Sequence, residues 1–192
     1  MTGSTPQPRS FVREPARRAF AFELRETRLQ FRDGDTEMSP TYVMLPTGQR
    51  CNRLFFCGEL TQKDKRGDNG PFYTGRVREP TGQFFVNAGS YQPEAMQQLA
   101  KIEPGSFVAV VGKPNVREMP DGAVFVSIRI ESIVEVDTET YRMWVDDTAE
   151  KTLERLETFG TTEDSRKAEE FYSMDLASVK DRVHAALSEI GF

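Results

Sequence analysis

Residues 123–136, AVFVSIRIESIVEV, put Val124, Val126, Ile128 and Ile130 on one side of an extended chain and Phe125, Ser127 and Arg129 on the other. That period of two is the mark of a strand with one buried face. It is the last of five such segments, and their order restricts the fold more than anything else in the chain. NRLFFCGEL (52–60), FYTGRVREP (72–80) and QFFVNAG (83–89) come first, and SFVAVVGKPNVRE (106–118) is the fourth. KDKRGDNGP (63–71) reads as a polar loop, Thr81-Gly82 as a tight turn, and MPDG (119–122) as another. Between the third and fourth segments, SYQPEAMQQLAKIEPG predicts one short helix. Pro93 and Glu94 suit its first turn, Met96, Leu99 and Ile102 share a face, and Pro104-Gly105 ends it. Three strands, a helix and two strands is the order of the five-stranded OB barrel. A different small barrel or a sandwich is the alternative, which that helix disfavours. Gly58 and Gly75, inside strands, suit the sharp coiling of a small barrel. The expected fold is mainly β with α: an OB-fold barrel followed by C-terminal helices.

The flanks divide the chain into a basic arm and lead-in hairpin (1–49), the barrel (50–137) and a helical region (138–192). The first 19 residues carry Arg9, Arg13, Arg17 and Arg18 against Glu14, with Pro6, Pro8 and Pro15, and read as a flexible arm. Such an arm is either a solvated tail or a contact to nucleic-acid backbone or a partner. Residues 20–31 have extended character, RDGD (32–35) supplies a turn, and residues 40–50 restart a short strand. After Asp137, residues Tyr141, Trp144, Val145, Thr148, Ala149, Thr152, Leu153, Leu156 and Phe159 recur at helical spacing, and Gly160 closes the helix. Two more helices are predicted over 163–172 and 175–190.

Several functions are disfavoured. The chain holds one histidine, His184, and two cysteines, Cys51 and Cys57, fewer soft or imidazole ligands than tetrahedral zinc needs. The even spacing of the cysteines places both on one face of a strand, too far apart for a disulfide, so buried thiols are expected. There is no glycine-rich phosphate loop and no nucleophile–histidine pair, and neither an enzyme nor a cofactor is expected. No apolar run approaches a membrane span, and the first ten residues lack the apolar core of a signal peptide. A cytoplasmic protein is expected.

A net charge of −5 argues against nonspecific attraction to nucleic acid, but a local basic stripe can bind phosphate while acid sits elsewhere. In OB folds, the second and third strands and the loops joining strands one to two and four to five form the ligand face. Alternation puts Tyr73, Gly75 and Val77 inside, leaving Phe72, Thr74, Arg76 and Arg78 outward, because two unpaired arginines are costly to bury. It likewise buries Phe84, Val86 and Ala88 and exposes Phe85 and Asn87. Phe72, Phe85 and Phe125 are then candidates for base stacking, with Arg76, Arg78 and Arg129 as cations beside them. Lys63, Lys65 and Arg66 form one jaw, Lys113 and Arg117 the other, and Tyr91 is placed to cap a base. If a strand is inverted, Tyr73 and Phe84 exchange roles with their neighbours. Stacking grooves alone do not separate DNA from RNA.

Four segments, PTGQRCNRLFFCGELT (46–61), RVREPTGQFFVNAGSYQPEA (76–95), FVAVVGKP (107–114) and RMWVDDTAEKTLERLETF (142–159), resemble the archaeal replication protein A-associated proteins. The resemblance runs from about Arg13 to the carboxyl terminus and is specific in the barrel and the first tail helix. It implies an OB-fold protein that works with a replication protein A subunit in single-stranded-DNA binding, replication and repair. The mild acidity departs from the far more acidic haloarchaeal members. It also implies a precedent for residues 138–159, since in replication protein A assemblies the helix after the barrel packs against sister helices. Tyr141, Trp144, Val145, Thr148, Thr152, Leu156 and Phe159 are the candidate partner face. Packing of that stripe within the chain is the alternative, and with it comes a choice between a DNA-binding subunit and a scaffold that barely touches DNA.

Overall fold

In the computed structural model, which describes residues 14–67, 70 and 72–191, the first elements are α1 (Ala21–Glu26) and the strands β1 (Leu29–Arg32), β2 (Thr41–Met44) and β3 (Arg50–Cys51). These three strands form an antiparallel sheet of their own. Five longer strands come next: β4 (Leu54–Arg66), β5 (Phe72–Glu79), β6 (Gly82–Ala88), β7 (Phe107–Glu118) and β8 (Val124–Glu135). They close into a barrel in the order β4-β5-β6-β8-β7, with β7 returning to β4. Every pairing is antiparallel except β6 with β8, where Val86 faces Ile128 and Asn87 faces Arg129 in parallel. Helix α2 (Pro93–Lys101) lies between the third and fourth barrel strands. A closed barrel with that strand order and that helix is an OB fold.

The inward parity is the one that alternation predicts. Leu54, Phe56, Leu60, Val77, Phe84, Val86, Val110, Ile128 and Ile130 are buried, and Phe56 stacks on Phe84 with centroids 4.0 Å apart. Two irregularities bend the sheet. The β4–β5 register shifts between Leu60 and Gln62, and the β7–β8 register shifts between Val111 and Gly112. Each extra residue reverses the parity of the strand beyond it. Small residues are required at two close approaches: a Cβ at Gly58 would collide with the Arg78 carbonyl, and one at Gly112 would stand 2.5 Å from Ile128 Cγ2.

The expected lead-in hairpin forms as the antiparallel pair β1–β2, but the residues before it are not extended. Residues 21–26 are helical, with Ala21, Phe22, Glu23 and Leu24 all buried. Within the basic stretch, the Arg17 amide donates to Arg53 O at 2.8 Å and Arg17 O accepts from the Phe55 amide at 2.9 Å, so this part of the arm is pinned to β4. Residues 1–13, with Arg9 and Arg13, lie outside the described residues. Cys51 and Cys57 sit on different strands, β3 and β4, and not on one face of the same strand. Both are buried free thiols, and burial pushes each up to about 12.

Helices α3 (Thr138–Glu157), α4 (Glu163–Phe171) and α5 (Leu176–Glu189) complete the chain. Asp137 caps α3 by accepting from the Thr140 amide at 2.7 Å. The stripe that the sequence offered to a partner is covered by the chain itself. Trp144, Val145, Thr148, Thr152 and Leu156 are buried. Trp144 Nε1 donates to Phe55 O at 3.1 Å, and its ring meets Phe20 edge-on at 5.8 Å. Tyr141 is half-buried and stacks on Phe107 at 4.7 Å, and Phe159 is half-buried as well. Helix α5 lies against α3 with Val179, Val183 and Ala186 buried. His184 is exposed on α5. No helix among the described residues is long and apolar enough to cross a membrane.

This packing leads to two expected outcomes. Trp144→Ala removes an indole fixed on three sides and is expected to lower the unfolding free energy by about 3–5 kcal/mol, read from urea denaturation of the isolated chain. Glu79 is buried at the end of β5, where its carboxylate accepts from the Ala21 amide at 2.8 Å and the Thr81 amide at 2.9 Å. Burial nevertheless pushes this carboxyl up from 4.5 to about 7. The folded group holds its proton to higher pH than the unfolded one. Its contribution is therefore full below about 4.5 and is lost as pH rises through about 7. The stability of wild type relative to Glu79→Gln should fall between about pH 4.5 and about pH 7 and level off above that, measured by paired denaturation curves.

Candidate nucleic-acid interface

One face of the barrel carries a groove of about 1000 Å³. Its floor is built by strand register. On one row Gln62 of β4 faces Arg76 of β5, which faces Phe85 of β6. One step along, Asp64 faces Thr74, Thr74 faces Asn87, Asn87 faces Arg129 of β8, and Arg129 faces Lys113 of β7. A third row pairs Arg66 with Phe72. Paired residues on a pleated sheet share a face, so these side chains all open to the same side.

Two of the groove aromatics, Phe72 and Phe125, are exposed, and the half-buried Phe85 is engaged with a cation. The Arg76 guanidinium lies over the Phe85 ring, 5.5 Å from its centroid, and Phe85 and Phe125 are 5.0 Å apart with a 54° tilt. Phe72 and Phe125 keep about 40% of their surface exposed, 39% and 40% respectively, which leaves ring faces for another planar group. Arg66, Arg76, Lys113, Arg117 and Arg129 line the groove, and among the described residues none of them pairs with a carboxylate. Unneutralised guanidinium and ammonium groups beside open rings can hold phosphates while flat groups stack.

The structure thus brings together Phe72, Arg76, Phe85, Asn87, Lys113, Arg117, Phe125, Arg129 and Arg66 from the candidate set. It separates four others. Strand β4 runs straight through what the sequence presents as a loop, as far as Arg66. The register shift after Leu60 then puts Lys63 opposite Gly75 and Lys65 opposite Tyr73, on the side away from the groove. Lys63 Nζ instead donates to Ala100 O at 2.9 Å and Ile102 O at 2.7 Å, capping the C-terminus of α2. Arg78 lies toward the other end of β5, held by the Glu59 carboxylate at 2.5 Å. Tyr91 is almost wholly exposed beyond β6 and does not line the groove.

The groove also contains residues that strand alternation does not single out. The same shift turns Gln62 and Asp64 into it. Opposite the barrel, Gln30 and residues 38–41 form a second wall. That wall is docked by Gln30 Oε1, which accepts from the Val116 amide at 3.3 Å. The only local signal for the wall was the turn at Gly34. Among the described residues no cluster of three potential metal ligands occurs.

No family model matches the chain, and no curated protein matches it. Among solved structures the chain is similar to the second single-stranded DNA-binding protein of Mycobacterium smegmatis, at 18% identity and a TM-score of 0.38, over 45% of this chain and 87% of that one. A small single-stranded DNA-binding protein from Streptomyces coelicolor gives 20% and 0.35, over 46% and 94%. The Stn1–Ten1 complex of S. pombe gives 13% and 0.47, over 68% and 85%. At these scores the likenesses carry no weight of their own. Strand order and barrel closure make this chain an OB-fold protein with one basic, aromatic groove.

Proposed function

We propose that the chain is a non-enzymatic subunit that binds single-stranded DNA in the β5–β6–β8 groove. One observation carries the proposal: five cations with no carboxylate partner among the described residues line one groove with the exposed Phe72 and Phe125 and the half-buried Phe85, in a chain with net charge −5. Such a cluster gives the groove a local attraction for phosphates that the net charge of the chain does not supply. Rings open on one face suit bases that are unpaired, since paired bases present only their edges. The resemblance to the archaeal replication protein A-associated proteins supports a place beside a replication protein A subunit in DNA replication and repair. With the Trp144 stripe internal, such a partner would meet the outward side of α3 or the barrel rim. The scaffold alternative loses the Trp144 stripe and keeps only the net negative charge in its support.

The test is fluorescence anisotropy of a labelled oligo-dT across a salt series. Affinity should fall as salt rises, with a slope of about 0.7 for each phosphate contact. Arg76→Glu with Arg129→Glu should weaken binding at least about tenfold and flatten that slope by about 1.4, the loss of two contacts. Arg78→Glu, outside the groove, should leave binding within about twofold because its pair with Glu59 is at the surface. Equal binding by the folded double variant and the wild type would exclude the groove. Phe85→Ala separates stacking from charge. It should cost about 1–3 kcal/mol of affinity with the salt slope unchanged, read from the same titrations.

A further inference from the structure

The middle row of the groove floor is polar from end to end, and its order is chemically asymmetric. Asp64, which only accepts hydrogen bonds, stands beside the Thr74 hydroxyl. Asn87, which both donates and accepts, comes next, and the donors Arg129 and Lys113 close the row. Phe72 flanks this row on one side and Phe85 on the other. Asp64 is the only carboxylate lining the groove, and among the described residues it pairs with no cation there. Its Oδ2 accepts from Gln62 Nε2 at 2.7 Å, which fixes the carboxylate and leaves Oδ1 without a protein donor among the described residues.

A fixed carboxylate on a phosphate path repels the backbone. It earns its place only by accepting from something the strand brings. Strands β4 and β6 flank β5, so Asp64 and Asn87 stand about 10 Å apart at the backbone, two strand spacings, with Thr74 between them. A base resting over Thr74 would meet an acceptor on one side and an amide on the other. Guanine is the base whose edge fits: N1–H and N2–H₂ offer two adjacent donors to a carboxylate, and O6 and N7 accept on the opposite side. Thymine has a single ring N–H between two carbonyls, which a carboxylate repels.

Resting on the single-strand reading above, we infer that the Asp64–Thr74–Asn87 row recognises one guanine, making the groove selective among single strands.

The experiment uses the full chain and three labelled oligonucleotides of equal length: all dT, dT with one central dG, and dT with one central deoxyinosine, which lacks the 2-amino group. Wild type should bind the dG strand on the order of tenfold more tightly than all dT, with deoxyinosine between them. Asp64→Asn should bring the dG and dT affinities within about twofold by tightening all-dT binding as the repulsion goes, a sign that loss of folding cannot produce. Asn87→Ala should reduce the dG preference without tightening all dT. Equal wild-type affinity for all three strands, or a dG preference that survives in Asp64→Asn, would overturn the inference and leave single-strand binding standing. Failure of wild type to bind any of the three would sink the single-strand reading and this inference with it.

Discussion

A carboxylate with no exposed surface, that of Glu23, holds the parts of this molecule in register. It accepts from the Phe20 amide at 2.8 Å, from the Thr47 hydroxyl at 2.5 Å and from Arg155 Nη2 at 2.8 Å. These partners come from the start of α1, the β2–β3 turn and the far end of α3. An ion pair so buried gains little against an apolar substitute, but losing one partner leaves an uncompensated charge at a cost of about 3–5 kcal/mol. Its value here is positional. It ties the three-stranded sheet to the C-terminal helix, and through Gln30 that sheet becomes the second wall of the groove. Trp144, on the same helix, donates to the backbone of β4, so the helix and the sheet are both referred to the barrel.

How much of this was legible in the sequence depends on how local each signal is. Alternation separated Phe84 from Phe85 and Val77 from Arg76 correctly, because a strand with one buried face must repeat every second residue. The β5, β6 and β8 part of the groove floor followed from parity alone. The β4 part did not, because residues 63–71 read as a loop and the strand that runs into them carries an inserted residue. Thr61, at the register shift, reverses β4, so Lys63 and Lys65 leave the groove and Gln62 and Asp64 enter it. Nothing in TQKDKR marks that insertion, since its cause is a barrel bend made by the whole sheet.

Other failures came from burial on all sides. Phe20, Phe22 and Leu24 recur at the spacing of a strand, yet α1 is a helix. A six-residue helix with its first four residues buried is too short to reveal a period of 3.6. The Glu23 side chain reaching back to the Phe20 amide stabilises its first turn, a contact held in place by Arg155, 132 residues away. The α3 stripe posed a different difficulty. Tyr141, Trp144, Val145, Thr148, Thr152 and Leu156 showed that one face is covered, but a stripe does not say by what. The answer lay in Phe55 and Phe20, whose positions depend on the barrel and the segment before it.

If the groove binds single strands as proposed, the charge distribution bears on its selectivity. Asp146, Glu150, Glu154, Glu157 and Glu163 are exposed on α3 and α4, while five cations with no carboxylate partner among the described residues line the groove. Beyond a Debye length of about 8–10 Å the net charge of −5 acts as a weak repulsion on any polyanion. Inside the groove the local field reverses, and stacking is added to it. A duplex, whose bases are paired and offer no open faces to the rings, would meet mostly the repulsion. A single strand can thread its phosphates past Arg76, Arg129 and Lys113 while its bases reach Phe72 and Phe85. On the proposed single-strand reading, the acidic helices would work with the basic groove: they would suppress attraction that depends on charge alone and leave binding to strands that can enter.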